Sequence, residues 1–421
     1  MVIRKPFWVA VFLLAVSILA YVIVSDVVFK RAAYVIAILI AVNYFWALFS
    51  TRGVSIRRYV RGQRQQVGQI LNEHFELMNQ MPIVRLWLEI RDESEMANPQ
   101  NSRVVSWVGR RAKRSYVAPM LLLRRGIYTL GPTSIFSGDP FGFFANKTQI
   151  QALGHTLVLP YYEELKYFPS PVGLLQGGKA RRDKSLEVTP YAAGVREYHA
   201  GDPLSRIHWR TTARHNKLMV KEFERDPQAN AWILLDADRE KHAIVEEIGA
   251  QPVIHERGIW AWQKRPEFHL PADSFEYQVC AAASVANYYL KQGKSVGFAC
   301  AAQNFIAIPP ERGERQFGKI METLALVKCE GELPFTGLIE SQATLIPRGS
   351  TVTLVTSSND AQIFTAIDIL RRRDLRPVIV LVDPASFGRT WGSAAWINQA
   401  RAMGVTVKVF EKGAVLSQAL S

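Results

Sequence analysis

Polar positions almost vanish from two long stretches near the start of the chain. The first is Phe7 to Val24, FWVAVFLLAVSILAYVIV, eighteen residues without a charge. The second is Ala33 to Ser50, AYVIAILIAVNYFWALFS, whose one strongly polar member is Asn43. As helices each would be about 27 Å long, against a hydrocarbon core of roughly 30 Å, so both predict membrane spans. A secretion signal explains the first run less well, because it shows no clear small-residue cleavage pattern and a second span follows at once. Arg4 and Lys5 precede the first span, and Arg52, Arg57, Arg58, Arg61 and Arg64 follow the second. The connection holds Asp26, Lys30 and Arg31, a smaller positive excess. The positive-inside rule then predicts a hairpin, with the N-terminus and everything after residue 50 cytoplasmic.

Beyond the spans the period shortens. Alternating runs bounded by turn residues predict strands at Ile83–Ile90, Ser102–Val108, Ser115–Leu123, Gly126–Pro132 and His155–Leu159. That spacing fits a small β-sandwich over 52–165. Within it SGDPFGFF, Ser137 to Phe144, reads as a turn begun by Asp139-Pro140 with Gly142 letting the rings tuck down. Residues 166–195 read as a linker, with Gly173–Glu187 its clearest part. From 196 on, apolar strands alternate with helices. Strands are expected at 231–235, 295–301, 305–308, 351–355, 377–382 and 405–410, and helices at 275–290, 316–327, 361–370 and 394–402. This order predicts an α/β domain with a mainly parallel sheet. The tract from Ala243 to Pro271, with Trp260 and Trp262, is less regular and reads as a lid, a partner-facing loop or an extension.

Composition changes this picture little. The formal charge of +14 lies largely beside the spans, where it suits anionic headgroups, and no nucleic-acid signature accompanies it. Cys280, Cys300 and Cys329 are too scattered for a metal knuckle and read as core thiols of a reducing compartment. Gly313–Ile320, GERQFGKI, has phosphate-loop spacing, but it lacks the Ser or Thr that ligates Mg²⁺ and carries Glu314 in the cradle, so the match is fortuitous. There is no nucleophile elbow, H-E-x-x-H or dinucleotide fingerprint. Ligands of open α/β sheets bind beyond the carboxyl ends of the strands. Asp236 and Asp238 after one expected strand and Asp383 after another are therefore the candidate oxygen ligands for Mg²⁺ or Mn²⁺.

The densest knot of charge and rings is REYHAGDPLSRIHWRTTARHNKLMVKEFE, Arg196 to Glu224. Asp202-Pro203 has the form of an N-cap with proline at the first helical position. A helix from Pro203 to about Ala213 would line up Arg206, Arg210 and Arg214, with Trp209 anchored in apolar packing. Glu197, Asp202, Glu222 and Glu224 are the internal acidic neighbours that could absorb this charge. The alternative is an anionic docking face formed with Arg196, Glu197, Asp202, Arg206, Trp209, Arg210 and Arg214, in which Arg206 and Arg210 make the main contacts.

The segments REYHAGD, RIHWRTTAR and LMVKEFE resemble the signature of family 58 of the domains of unknown function. Arg196, Glu197, Tyr198, Gly201, Asp202, Arg206, Ile207, Trp209, Ala213, Leu218, Val220 and Phe223 carry the likeness. RRGIYTLGP and SGDPFGFF upstream extend it to Arg124, Arg125, Gly126, Tyr128, Gly131, Asp139, Pro140, Phe141 and Gly142. The resemblance implies a membrane-tethered protein with a β-rich domain and a C-terminal domain similar to von Willebrand factor type A modules. It also implies company: MoxR-type AAA+ ATPases and transglutaminase-like membrane proteins, in assembly, maturation or envelope stress. Where such modules carry an Asp-x-Ser-x-Ser metal core, this chain has Asp236-Ala237-Asp238-Arg239-Glu240, which lacks both serines. The reading that results is a membrane-anchored scaffold or adaptor rather than an enzyme. Its rivals are a divalent-metal hydrolase centred on the three aspartates and a purely structural envelope protein.

Overall fold

A computed structural model describes residues 1–60, 64–94, 102–151, 154–169, 192–199, 202, 204–223, 230–243, 269–389 and 393–421. The expected linker core, 173–187, and most of the tract around Trp260 and Trp262 lie outside the described residues. The chain divides into two compact units, the first built on Met1–Tyr161 and the second chiefly on the residues from Tyr162 onward.

The first unit begins with strand β1 (Val2–Ile3) and two helices, α1 (Lys5–Val24) and α2 (Val27–Ser50). Both are long and apolar enough to cross a membrane, and their most apolar windows are only 6% and 11% buried. A helix in a protein core would be covered; these leave most of their apolar surface bare, which lipid would stabilise. α2 begins six residues before the expected span. Asp26 caps it by accepting the N–H of Val28 at 2.9 Å, and the helical ladder runs on through Lys30 and Arg31, where an apolar count stops.

Strands β2 (Val54–Val60), β3 (Arg64–Gln66), β4 (Ile70–Asn79), β5 (Arg85–Asp92), β6 (Ser102–Val108) and β7 (Lys113–Leu121) follow. β8 (Gly126–Leu130), β9 (Thr133–Gly138), β10 (Phe144–Ile150) and β11 (Gly154–Leu159) complete the unit. Three sheets result, in the orders β1-β10-β9-β5-β6, β2-β4-β7 and β3-β11-β8. The first two share a core, in which Val54, Ile56, Phe75 and Leu77 meet Leu88, Ile90, Val108 and Ile135. β5 starts at Arg85, not Ile83. Arg85 is buried and donates to the carbonyls of Phe49 and Arg52, so it closes the C-terminal end of α2. A salt-linked cluster is also buried: Arg58 bonds Glu73 at 2.5 Å and Asp92 at 2.8 Å.

The second unit carries the hairpin β12 (Ala192–Glu197) and β13 (Met219–Phe223), with α3 (Trp209–His215) between them. Its main sheet is β14 (Ala231–Leu235), β15 (Val296–Ala301), β16 (Phe305–Glu311), β17 (Thr351–Thr356), β18 (Arg376–Val382) and β19 (Thr406–Phe410). The helices are α4 (Ser274–Lys291), α5 (Glu314–Leu326), α6 (Phe335–Ala343), α7 (Gln362–Arg372), α8 (Ala394–Ala402) and α9 (Leu416–Leu420). The sheet order is β16-β15-β14-β17-β18-β19, parallel throughout except for the antiparallel edge β16. β14, β15 and β17 are buried along their whole length, as two-sided coverage by helices demands. Helix α6 was not expected; its nine residues are too few to establish a period by themselves. Gly313 opens α5, and Lys319 pairs with Glu311 at 2.7 Å, so the apparent phosphate loop is an ordinary helix start.

Candidate functional site

Two places gather the residues singled out from the sequence. The first is the hairpin segment. The expected single helix from Pro203 does not form. A 3-10 turn, Leu204–Arg206, comes first, and α3 begins only at Trp209. The reason lies in Asp202. It does not cap a helix; instead it accepts both guanidinium nitrogens of Arg196, at 2.7 and 2.6 Å, and the N–H of His199 at 2.9 Å. Those charged bonds hold its carboxyl down at about 2. Glu197 pairs with Lys217 at 3.1 Å.

Arg196, Glu197 and Asp202 are thus occupied within the hairpin. Arg206 belongs to the 3-10 turn, so the three-arginine stripe on one helix is replaced by Arg210 and Arg214 alone, one turn apart on α3 and both exposed. Trp209 corrects the expectation of a packed anchor, being 68% exposed, while Ile207 takes the buried place. Late initiation of the helix rotates Trp209 outward, because His208 donates its N–H to Met219 O at 2.8 Å and pins Ile207 beneath. The outcome is an exposed indole followed along the helix by two exposed arginines.

The second place is the carboxyl edge of the main sheet, where the strand order reverses between β14 and β17, the position at which such sheets take ligands. Asp236 leaves β14 beside Thr356 at the end of β17. Its carboxylate accepts the Thr356 hydroxyl at 2.5 Å and the N–H of Asp238 at 3.0 Å. Complete burial raises it to about 6. Asp238 caps a 3-10 turn through the N–H of Glu240 at 3.0 Å. Asp383 ends β18, two strands away from β14, where it caps its own turn and accepts Ser393 Oγ at 2.6 Å. The three aspartates therefore do not converge, since β17 stands between them. Among the described residues no three His, Cys, Asp or Glu side chains form a metal-holding group. Each oxygen of Asp236 already accepts one hydrogen bond from the chain itself.

The neighbours of Asp236 are the ones that sequence reasoning missed: Thr356, Ser357, Gln278, His242 and Arg389. Ser357 Oγ donates to Lys241 O at 3.0 Å and lies 3.4 Å from His242 Nδ1. This pair is not a nucleophile and base. Burial and then the charge of Arg389 push His242 down to about 3, so its imidazole is a poor proton acceptor, and the hydroxyl is spent on a carbonyl. Gln278, with its amide turned to donate to Asp236 O at 3.1 Å and accept from Ser357 N at 2.9 Å, stitches the two strand ends to α4. Arg389 donates to the carbonyls of Glu240, at 2.9 Å, and His242, at 2.5 Å. The edge is a closed polar lock. The one available signal was the polar run Thr356-Ser357-Ser358 directly after an apolar strand.

Comparisons with known proteins show similarity to one family model over part of the chain and to a bacterial relative. The family model described as "Protein of unknown function DUF58" matches residues 194–243, the hairpin and the first strand of the sheet. An uncharacterized protein of Bacillus subtilis (strain 168), YeaD, is 24% identical over 297 residues, covering 69% of this chain. That match spans 66% of the relative, just under two thirds of its length. Among solved structures, the CARDB domain of a Pyrococcus furiosus protein, in complex with di-metal ions, shares 10% identity with a TM-score of 0.19. It covers 25% of this chain and 91% of that domain. The C-terminal domain of wzt shares 11% identity with a TM-score of 0.20, over 25% of this chain and 73% of that one. Scores this low support no argument about fold or function.

Proposed function

We propose that this is a membrane-anchored scaffold or adaptor, tethered by the α1–α2 hairpin, whose large soluble portion lies on the cytoplasmic face and docks a partner protein through Trp209, Arg210 and Arg214. The observation that carries the reading is the outward indole beside two exposed arginine side chains in the segment that matches the family model. Tryptophan and arginine dominate the energetics of protein interfaces, and an exposed indole is costly to keep in water unless something covers it. The complementary partner surface would be acidic with an apolar pocket. The family resemblance implies a MoxR-type AAA+ ATPase in that role, with a transglutaminase-like membrane protein as a further associate, and a C-terminal domain related to von Willebrand factor type A modules. The β16-β15-β14-β17-β18-β19 order, third-second-first-fourth-fifth-sixth, supports that relation. The closed polar lock around Asp236 favours binding over hydrolysis.

The test is direct. Full-length protein in nanodiscs is presented to the purified MoxR-type ATPase of the same organism, and the affinity is measured by interferometry. Binding weakened at least about tenfold by Trp209→Ala with Arg210→Glu and Arg214→Glu supports the reading. Unchanged binding by a folded triple variant removes this surface, and no binding by the wild type removes the ATPase as partner.

A further inference from the structure

We infer that the end of the first unit nearest the helices is itself a membrane-contact surface: Phe141, Trp107 and Ile83 enter the interfacial layer of the bilayer, and Arg52, Arg110 and Arg111 meet anionic lipid headgroups. The inference rests on the hairpin crossing the bilayer and goes beyond it, because a tethered domain could equally hang clear of the lipid.

The strand registers bring these residues to one end. Ile3 pairs with Phe144, Gly138 with Ala145, Arg85 with Val108, Val54 with Asn79, and Met78 with Lys113. The connections holding residues 80–84, 109–112 and 139–143 therefore leave the sheets on the same side as the start of α1 and the end of α2. They are also tied there. Asn79 donates to Ile83 O at 2.8 Å and Gly109 O at 2.9 Å, Arg111 N to Met81 O at 3.2 Å, and Gln80 N to Gly53 O at 2.8 Å. Arg85 bonds the last carbonyls of α2. Arg4 N donates to Phe143 O at 2.9 Å.

One buried carboxylate holds the 139–144 turn together. Asp139, only 1% exposed, accepts three backbone N–H groups, those of Phe141 and Phe143 at 3.0 Å each and of Phe144 at 2.5 Å. Gly142 supplies the left-handed φ of +74° that the turn needs. The rings are thereby set in place. Phe144 packs on Phe7 at 5.2 Å and on Tyr44 at 5.7 Å between ring centroids. Tyr44 lies six residues inside the end of α2 and Phe7 two residues inside the start of α1, so the Phe144 ring is seated on the apolar stretch of both helices. Phe141 stacks on Phe143 at 5.9 Å yet remains 58% exposed. Trp107 is 64% exposed and Ile83 39%, and Arg52, Arg110 and Arg111 are exposed among them. Aromatic rings with arginines at the mouth of a span are the composition of a membrane interface.

The experiment uses the full chain in nanodiscs containing anionic lipid. Cys329→Ser leaves only the buried Cys280 and Cys300, and single nitroxide labels are placed by Phe141→Cys, Trp107→Cys, Ile18→Cys and Ser102→Cys. Ile18 reports the span, and Ser102, at the opposite end of β6, reports water. Collision with oxygen relative to a nickel chelate then reads depth. Labels at 141 and 107 that favour oxygen several-fold over the label at 102, with 18 deepest, support the inference. A deep label at 18 with 141 and 107 as aqueous as 102 overturns it while leaving the crossing intact. An aqueous label at 18 overturns the crossing and the inference together. Arg110→Glu with Arg111→Glu should shift the label at 107 toward the chelate; no shift overturns the headgroup contact.

Discussion

Replacing Asp236 with Asn should make the second unit more stable in alkaline solution and slightly less stable in acid. The carboxyl sits at the end of β14, fully enclosed, and burial lifts it from the ordinary 3.8 to about 6. A folded-state value above the unfolded one means that the folded protein holds the proton more tightly. Stability is then fullest below pH 3.8 and falls as pH rises through 6. The interval is roughly two pH units, so the ionised carboxylate costs the fold about 3 kcal/mol at pH 8 and well under about 1 kcal/mol at pH 4. Asparagine has the same shape and never ionises. Its oxygen still accepts the Asp238 N–H, but its amide nitrogen cannot accept the Thr356 hydroxyl proton, which loses its acceptor. That mismatch costs about 1 kcal/mol at any pH. The net expectation is a gain of about 2 kcal/mol at pH 8, crossing to a small loss at pH 4. Hydrogen exchange of peptides covering Ala231–Leu235, wild type against variant at each pH, cancels intrinsic rates and isolates this unit. A variant destabilised equally at both pH values would refute the reasoning, since the ionised carboxylate would then be a stabilising acceptor.

Further expectations follow from named contacts. Arg58→Met strands Glu73 and Asp92 together in a buried site and should cost the first unit about 3–5 kcal/mol by hydrogen exchange over Ile70–Asn79; a cost below about 1 kcal/mol would show the cluster to be solvated. Gly331→Ala places a methyl group against the carbonyl oxygens of Ala301 and Ala237, so thermal unfolding should show a loss of about 1–3 kcal/mol in the second unit. Asp202 is depressed, so its bond to Arg196 contributes fully above pH 3.8 and is lost only as pH falls through about 2; Asp202→Ala should reduce exchange protection of Met219–Phe223 already at pH 7. Trp209→Ala should change stability by no more than about 0.5 kcal/mol, because the ring packs on little of its own chain; a loss of several kcal/mol would restore the buried-anchor view.

Local pattern carried much of this fold. The spans, most strands of the main sheet and helices such as Ser274–Lys291 and Gln362–Arg372 stand close to where periodicity puts them, because an apolar face is written into consecutive residues. Boundaries drifted where a distant partner intervened. Arg85 was drawn to the end of α2, and Asp202 chose Arg196 over a helix cap.

The site divides along the same line. That Asp236, Asp238 and Asp383 end strands was legible; that Asp236 would meet Thr356 and not Asp383 was not, since strand order depends on pairing between segments about a hundred residues apart. By itself the sequence determined an apolar hairpin, a β-rich unit and an α/β unit, all consequences of nearest-neighbour chemistry. Only the tertiary structure decided which carboxylates share a strand end, which way Trp209 faces and which loops gather beside the helices. Those outcomes depend on long-range packing and register, for which no short stretch of chain holds the information.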